Sequence, residues 1–330
     1  MSEEGVLMLP KKSSATSLVL EKVKCNLCGS DQSTPFIERR DLLVFLPGEF
    51  TMVKCDNCGL VYENPRPVAE SWSAIYPDEY EPYTDLAETS SLRRIANAYG
   101  HRKKIKWIEK FQNGGKICDV GCANGDFLFE VQKDNKWNAF GVEPSESAAK
   151  LAKARNLRIE TGFLGEDTFE GEKFDVVTMW NVIEHLGDPL ATLRQINRKL
   201  NPRGWLVFTT PIVGTIGSWF FGRHWMGYEL PRHFYVFSEQ VLEQYMQKCG
   251  FEIKKKASIY GTFSLTMTSI KFWLRHLTGH PNSKIEKILY SPVLRVLTAP
   301  YFFIQDKLGL SSSMTVFAQK QSCGQDARLF

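Results

Sequence analysis

The sequence predicts an α/β protein in which a doubly wound sheet of seven strands follows a small cysteine-bearing module. Three observations predict it. From Lys116 onward, apolar strand-like runs alternate with helical stretches. Two like-spaced Cys-x-x-Cys pairs stand ahead of that alternation, at Cys25/Cys28 and Cys55/Cys58. The first strand of the alternating region ends in an acidic, Gly-bearing turn, "KICDVGCANGDF", before a helix resumes. With 330 residues, 43% apolar and 24% charged, the chain can bury an ordinary core in one large domain plus a small module.

In "KCNLCGS" and "KCDNCGL" two thiols converge across a tight turn, and the Gly after the second Cys permits the backbone that this turn needs. Thiolates from two such turns complete a tetrahedral sulfur site for Zn²⁺. All four positions are then filled by protein, which makes the metal structural rather than catalytic. Redox dithiols or four buried cysteines are the alternatives. The intervening "FIERRDLLVFLPGEFTMVKC" reads as short strands, which gives a zinc ribbon over residues 25–66 behind a flexible N-terminus, 1–24. An aromatic stretch, "WSAIYPDEYEPYTD", and a polar helix from about Ser90 to Phe111 form a helical connector and lid over 67–111. The basic cluster of Arg102, Lys103, Lys104 and Lys106 on that helix reads as a solvated face.

The main domain spans 112–321, with a tail at 322–330. Its strands are "KICDVG", "WNAFGVE", "LRIET", "FDVVTMW", "GWLVFTTP", "EIKKKASIY" and "SSSMTVFAQK". Helical stretches such as "SESAAKLAKARN" and "PLATLRQINRKLNP" lie between most of them, as expected for a parallel sheet covered on both faces. A helical insert, 262–310, precedes the last strand.

In an open parallel sheet a ligand sits beyond the carboxyl ends of the strands. A dinucleotide fingerprint needs Gly at the first, third and sixth positions of the turn; those positions hold Gly121, Ala123 and Asp126. The pattern is instead Asp119-x-Gly121-x-Ala123-x-Gly125. At the end of the second strand, Glu143 supplies a carboxylate that can grip both hydroxyls of a ribose.

Taken together, "DVGCANG", "GVEPS", "FDVVTMWNVIEHLGDP" and "LNPRGWLVFTTP" resemble the motifs of the class I S-adenosylmethionine-dependent methyltransferases, whose fold is a Rossmann-like sheet. The resemblance runs from about Lys116 to Lys320. It implies S-adenosylmethionine as cofactor, with Asp119, Gly121 and Gly125 lining the methionine portion and Ala123 within the same turn. It places Glu143 at the ribose, Gly162 and Phe163 of "ETGFLGE" against adenine, and Trp180 and Asn181 closing the methionine end. The N-terminal "CNLCGS…KCDNCGLVYENPRP" with "IYPDEYEPY" resembles the module of a bacterial subgroup that methylates sugars and other small molecules.

Methyl transfer is an in-line displacement at a sulfonium carbon, so alignment, exclusion of water and, where needed, removal of one proton are the enzyme's work. That chemistry needs no metal in principle, and none is expected in the active site. Candidates for the base lie after the fourth and fifth strands: Glu184, His185 and, foremost, His233 in the aromatic segment "GSWFFGRHWMGYELPRHFYVFS", which has the place of a substrate lid. His233 can equally hold that lid in place, and Arg232 can recognise an anion or form a surface salt bridge. The loop "WNVIEH" lacks the Pro-Pro-Tyr-like signature of base amino-methylation, and Cys249 ends a helix, which disfavours it as a thiol nucleophile. Nucleic acid is therefore the less favoured acceptor.

A formal charge of +4 is too small to announce a nucleic-acid binder. Its distribution is uneven: residues 251–330 carry +7 and residues 1–250 carry −3. The insert combines basic residues with apolar ones at helical spacing, including Phe263, Met267, Ile270, Trp273 and Leu277. Such helices, at 263–305, can lie in a membrane interface or bury their apolar side on the domain or in a homodimer. The N-terminal "MSEEGVLMLPKKSS" is not that of a signal peptide, so the expected location is cytoplasmic, with the inner membrane face as an alternative. The leading reading is methyl transfer to an oxygen or carbon of a small molecule, such as a nucleotide- or lipid-linked sugar. An RNA methyltransferase with the ribbon as clamp, and a non-enzymatic cofactor-binding scaffold, are the alternatives.

Overall fold

The computed structural model describes residues 7–8, 18–76, 91–259, 261–281 and 283–321. In the N-terminal part, β1 (Leu7–Met8), β2 (Val19–Glu21), β3 (Ser33–Arg39), β4 (Phe50–Cys55), β5 (Val61–Glu63) and β6 (Arg66–Pro67) are followed by α1 (Trp72–Ile75) and α2 (Ser91–Ile108). The main domain then runs β7 (Gly115–Val120), α3 (Asp126–Gln132), β8 (Trp137–Glu143), α4 (Glu146–Ala154), β9 (Arg158–Thr161), β10 (Phe174–Trp180), α5 (Pro189–Lys199) and β11 (Leu200–Pro211). It ends with α6 (Ile216–Phe221), β12 (Tyr235–Val236), α7 (Glu239–Lys248), β13 (Phe251–Ala257), α8 (Thr262–Thr278), α9 (Ser283–Leu289), α10 (Pro292–Lys307) and β14 (Ser313–Lys320).

The chain forms an α/β protein whose main sheet has seven strands in the order β13-β14-β11-β10-β7-β8-β9. All seven predicted strands are present. The central pairs are parallel, but β14 runs antiparallel to both β11 and β13, so the sheet is mixed where the alternation alone implied a parallel one. The cause lies in the connection: β14 follows the helical insert and returns beside its own predecessor, and no crossover back to the opposite end of the sheet is made. Helices start where short polar side chains cap them. Ser145, Asp188 and Ser238 each accept a hydrogen bond from the backbone N–H three residues on, and Pro189 occupies the first turn of α5.

Alternation along the strands divides the core. On β7, Cys118 and Val120 belong to one buried cluster and Ile117 to the other; on β10, Val177 and Met179 face Val176 in the same way. One cluster joins α2 and α3 to the sheet. The other runs on without a break into Cys25, Leu27, Phe50, Met52, Leu60 and Tyr62 of the N-terminal module. The module is thus packed onto the sheet rather than tethered to it.

Backbone pairing ties them further. β3, β4 and β5 form an antiparallel sheet whose fourth strand, β12, comes from the main domain, with Tyr235 opposite Tyr62 and Val236 opposite Val61. Within the segment expected to be flexible, Val19–Glu21 pairs with Arg66–Pro67. The rest of that segment, 1–6 and 9–17, lies outside the described residues, as do the connector's 77–90 and the tail 322–330. The insert forms three helices over Thr262–Lys307, within the predicted bounds.

Candidate active site and cysteine cluster

Each Cys-x-x-Cys pair closes the same turn. The N–H of Gly29 donates to the Cys25 carbonyl at 2.8 Å, and that of Gly59 to the Cys55 carbonyl at 3.0 Å. Both glycines have φ near +76°, a conformation a side chain would strain. The turns bring the sulfurs together, Cys25 to Cys58 at 3.4 Å and Cys28 to Cys55 at 3.5 Å, with all four within 4.8 Å of one another. Zn–S bonds of about 2.3 Å set sulfurs ~3.8 Å apart in a tetrahedron, so this four-cysteine cluster has the donors and the size to hold zinc. The first turn also grips the main domain. Asn26 bonds Asp188 (2.8 Å) and the Tyr245 hydroxyl (3.0 Å), and Lys248 donates to the Leu27 carbonyl (2.7 Å).

At the carboxyl edge of the sheet the predicted cofactor residues converge. Asp119 is buried at the end of β7 and accepts from the Thr178 hydroxyl at 2.6 Å. The turn that follows has positive φ at Gly121, Ala123 and Gly125. A Cβ on Gly121 would meet Val182 at 2.7 Å, and one on Gly125 would meet Leu157 at 2.5 Å, so both positions need glycine for space as well as conformation. Glu143 ends β8 with its carboxylate over this turn: one oxygen accepts from the Ala123 N–H and the other from the Ser145 N–H, both at 2.8 Å. Burial raises its pKa, and those two N–H groups hold it back. Gly162 follows β9, its N–H on the Glu143 carbonyl at 2.9 Å, and Phe163 is largely exposed beside it. Trp180 and Asn181 end β10, Asn181 with φ +55° and its N–H on the Thr209 carbonyl.

Helix α2 contributes residues to this edge that the sequence reading missed. Lys104, assigned there to a solvated face, is buried, its ammonium 4.3 Å from the ring centre of Trp180. Burial pushes the Lys104 ammonium down and the nearby Asp119 carboxyl up, each checked by attraction to the other. His101, one turn earlier, packs on Phe127. A period-3.6 count could have placed both on one face, but the polar composition of the helix hid which face is covered.

The three candidate bases also converge. Glu184 and His185 lie in the turn after β10, and His233 lies in the segment after β11, its ring 4.6 Å from that of His185. One ligand-capable atom from each lies within 4.8 Å of the others. Burial pushes the Glu184 carboxyl up to about 8 and the two imidazoles down, His185 to about 3 and His233 to about 4. At neutral pH both rings are therefore neutral. His185 is held by the Tyr76 hydroxyl at 2.7 Å, a contact from the aromatic connector that no spacing rule pointed to.

Arg232 is neither an anion receptor nor a surface residue. It is fully buried, pairs with Asp41 of the module and with Glu229 (2.9 Å), and so pins the segment expected to be a lid to the module. His224, in the same segment, packs on His276 of the insert. A cavity of about 460 Å³ opens between module and sheet edge, lined by Arg66, Trp72, Phe163, Leu186, Asp188 and Phe234. It reaches from the residue expected at adenine to the neighbours of His185 and His233.

Residues 93–256 match the family model described as a methyltransferase domain. A ubiquinone biosynthesis O-methyltransferase from Pseudomonas syringae pv. tomato is 33% identical over 149 residues, which is 38% of this chain and 63% of that protein. A tRNA U34 carboxymethyltransferase from Desulfotalea psychrophila is 27% identical over 162 residues, 46% of this chain and 51% of that protein. The chain therefore spans between half and just under two thirds of the length of these relatives. Among solved structures, a SAM dependent methyltransferase from Archaeoglobus fulgidus aligns over 68% of this chain and 94% of its own at 15% identity, with a TM-score of 0.43. The match over residues 93–256 and these relatives support an S-adenosylmethionine-dependent methyltransferase.

Proposed function

We propose that the protein transfers the methyl group of S-adenosylmethionine to an oxygen of a small molecule, with a structural zinc ion held by Cys25, Cys28, Cys55 and Cys58. The observation that carries the cofactor is the Glu143 carboxylate, buried at the end of β8, with one oxygen bonded to the Ala123 N–H of the turn below it and the other to the Ser145 N–H. Each oxygen keeps a lone pair for one ribose hydroxyl. The turn with Gly121 and Gly125 brings the backbone close to the methionine portion, and Trp180 and Asn181 close that end. When bound, the cofactor supplies an activated methyl group on a good leaving group; the chain's own residues orient the acceptor and exclude water.

Several features support a small acceptor. The cavity between the module and the sheet edge, about 460 Å³, has the size for a compact molecule. The relative from Pseudomonas syringae is named for O-methylation, which favours oxygen over carbon. A nucleotide- or lipid-linked sugar fits both the cavity and the N-terminal resemblance. The relative named for tRNA keeps an RNA acceptor as the second reading.

The insert bears on where the acceptor is met. Val293, Val296, Leu297, Tyr301, Phe303 and Ile304 of α10 are exposed, as are Trp219 and Phe220 of α6. Within 262–310 six Lys or Arg stand against two acidic residues, which suits an anionic lipid surface. We place this face on the membrane interface. No helix among the described residues is long and apolar enough to cross a membrane. Flotation with vesicles of anionic lipid, lost in Leu297→Glu/Phe303→Glu, is the expected result; a stable dimer that hides the same face in solution would refute it.

The function is tested with methyl-labelled S-adenosylmethionine and cell extract, separated into lipid, nucleic acid, protein and polar metabolites, with Glu143→Ala as blank. Label in the lipid or polar fraction is expected. Label in nucleic acid would overturn the acceptor class, and no label anywhere would leave a cofactor-binding scaffold.

A further inference from the structure

Glu184, His185 and His233 each bring a ligand-capable atom within 4.8 Å of the others, and we propose that they form a binding site for a divalent first-row transition-metal cation, separate from the four-cysteine cluster. The chain's chemistry prepares each of them. A backbone carbonyl only accepts hydrogen bonds, so the contact of His233 Nδ1 with the Gly227 carbonyl at 2.9 Å puts the proton on Nδ1 and leaves Nε2 with a free lone pair. His185 Nδ1 stands 3.0 Å from the Arg232 carbonyl and 2.7 Å from the Tyr76 hydroxyl, and a proton on Nδ1 directed at that carbonyl leaves its Nε2 free as well. A second ring nitrogen anchored on a carbonyl is the usual support of a metal-binding histidine.

Glu184 supplies the charge once a cation displaces the proton that burial favours on it. One of its oxygens accepts from the Thr210 hydroxyl at 3.0 Å. The other is buried and has no hydrogen-bond partner among the described residues. A buried carboxylate oxygen without a partner is costly, and a cation between it and two imidazole lone pairs removes the cost. The three atoms lie within 4.8 Å of one another, and His185 is only partly buried, next to Leu186 of the cavity wall. Two neutral imidazoles and a carboxylate on one side of an ion leave its remaining positions open, the donor set of mononuclear sites that bind a substrate directly.

This reading deepens the proposed function and its role rests on it, whereas the site itself does not. Two imidazoles and one carboxylate leave a dication with a net charge of +1. An acceptor hydroxyl in an open position would lose its proton to solvent water, and the resulting oxyanion would complete the charge balance. The oxygen then forms the bond to the methyl carbon as the carbon–sulfur bond breaks, and the bond pair passes to sulfur, which leaves neutral S-adenosylhomocysteine. The expectation of an active site without metal is revised accordingly. Neutral imidazoles at His185 and His233 then serve as ligands, and neither needs to act as the base.

The test uses zinc-replete full-length protein titrated with Co²⁺, with both metals counted after dialysis and binding followed by calorimetry. Wild type should hold one Co²⁺ in addition to one zinc. Glu184→Gln and His185→Ala should each weaken Co²⁺ binding by at least ~10-fold while zinc content and S-adenosylhomocysteine binding stay unchanged. The absence of any Co²⁺ beyond the cysteine site, or undiminished binding in both variants, would overturn the proposal. Metal bound as expected with no methyl transfer to any fraction would sink the functional reading alone.

Discussion

Replacing Glu143 gives the sharpest test of the cofactor site. Its two oxygens each accept one backbone N–H at 2.8 Å and each retain a lone pair. A hydrogen bond to a charged acceptor contributes about 1.5–3 kcal/mol. Losing two ribose hydroxyl contacts in Glu143→Ala therefore costs about 3 kcal/mol at the least, or ~100-fold in Kd. The alanine also leaves the Ala123 and Ser145 N–H groups without their partner, which loosens the turn that carries Gly121 and Gly125. Glu143→Gln separates the two effects. It keeps the shape and one accepting oxygen, but its NH₂ must face one of those N–H groups, donor against donor. Titration calorimetry with S-adenosylhomocysteine should show at least ~100-fold weaker binding for the alanine variant and about 10-fold or more for the glutamine variant. Thermal unfolding and zinc content serve as controls for fold. If both variants are folded and bind within about threefold of wild type, the ribose is not held by Glu143 and the whole placement of the cofactor along the sheet edge fails.

Three further outcomes are expected. Cys55→Ser should release zinc, counted by metal analysis, and unfold the module; full metal content would refute the four-thiolate site. Arg232→Met leaves Asp41 and Glu229 buried without their cation and should cost on the order of 3–5 kcal/mol in denaturant unfolding, with less than ~1 kcal/mol refuting the buried pairing. His101 is held neutral by burial, its pKa lowered from 6.5 to about 3, so the unfolded chain binds the extra proton between those values. Its contribution is complete above pH 6.5 and is lost as pH falls. Wild type should then lose up to about 2 kcal/mol more than His101→Gln between pH 7 and pH 5, and equal losses would show that His101 charges freely in the native state.

The parts of the fold legible in the sequence were those with a local period or a fixed spacing. Seven strands announced themselves by apolar runs, and the two cysteine turns by Gly29 and Gly59. The turn from Asp119 to Gly125 could be read because its backbone demands small residues at set positions. What escaped was set by contacts between distant segments. Tyr235–Val236 looks like loop in isolation and becomes strand only because β5 offers it an open edge. Lys104 sits in a run of basic residues, and nothing local distinguishes it from its solvated neighbours; Trp180, more than seventy residues later, covers it. Arg232 likewise has a local partner at Glu229, but its burial depends on Asp41, 191 positions earlier.

The same distant contacts bear on why a methyltransferase domain carries a cysteine module at all. The lid segment is held on three sides: β12 is a strand of the module's sheet, Arg232 is paired to Asp41, and Arg66 reaches the Tyr235 hydroxyl at 3.0 Å and the Gly187 carbonyl at 2.7 Å. His233 lies between Arg232 and β12, so its position is dictated by the module rather than by the strand it follows. A defect at the cysteine cluster should therefore displace His233 while leaving Glu143 and the glycine turn, which belong to the sheet, in place. Cofactor affinity and catalysis then separate. Loss of the zinc through Cys28→Ser, with the second cation kept saturating, should abolish methyl transfer while reducing S-adenosylhomocysteine affinity by less than about tenfold. Loss of both in parallel would mean that module and sheet unfold as one unit, and the lid would then have no independent mechanical support to lose.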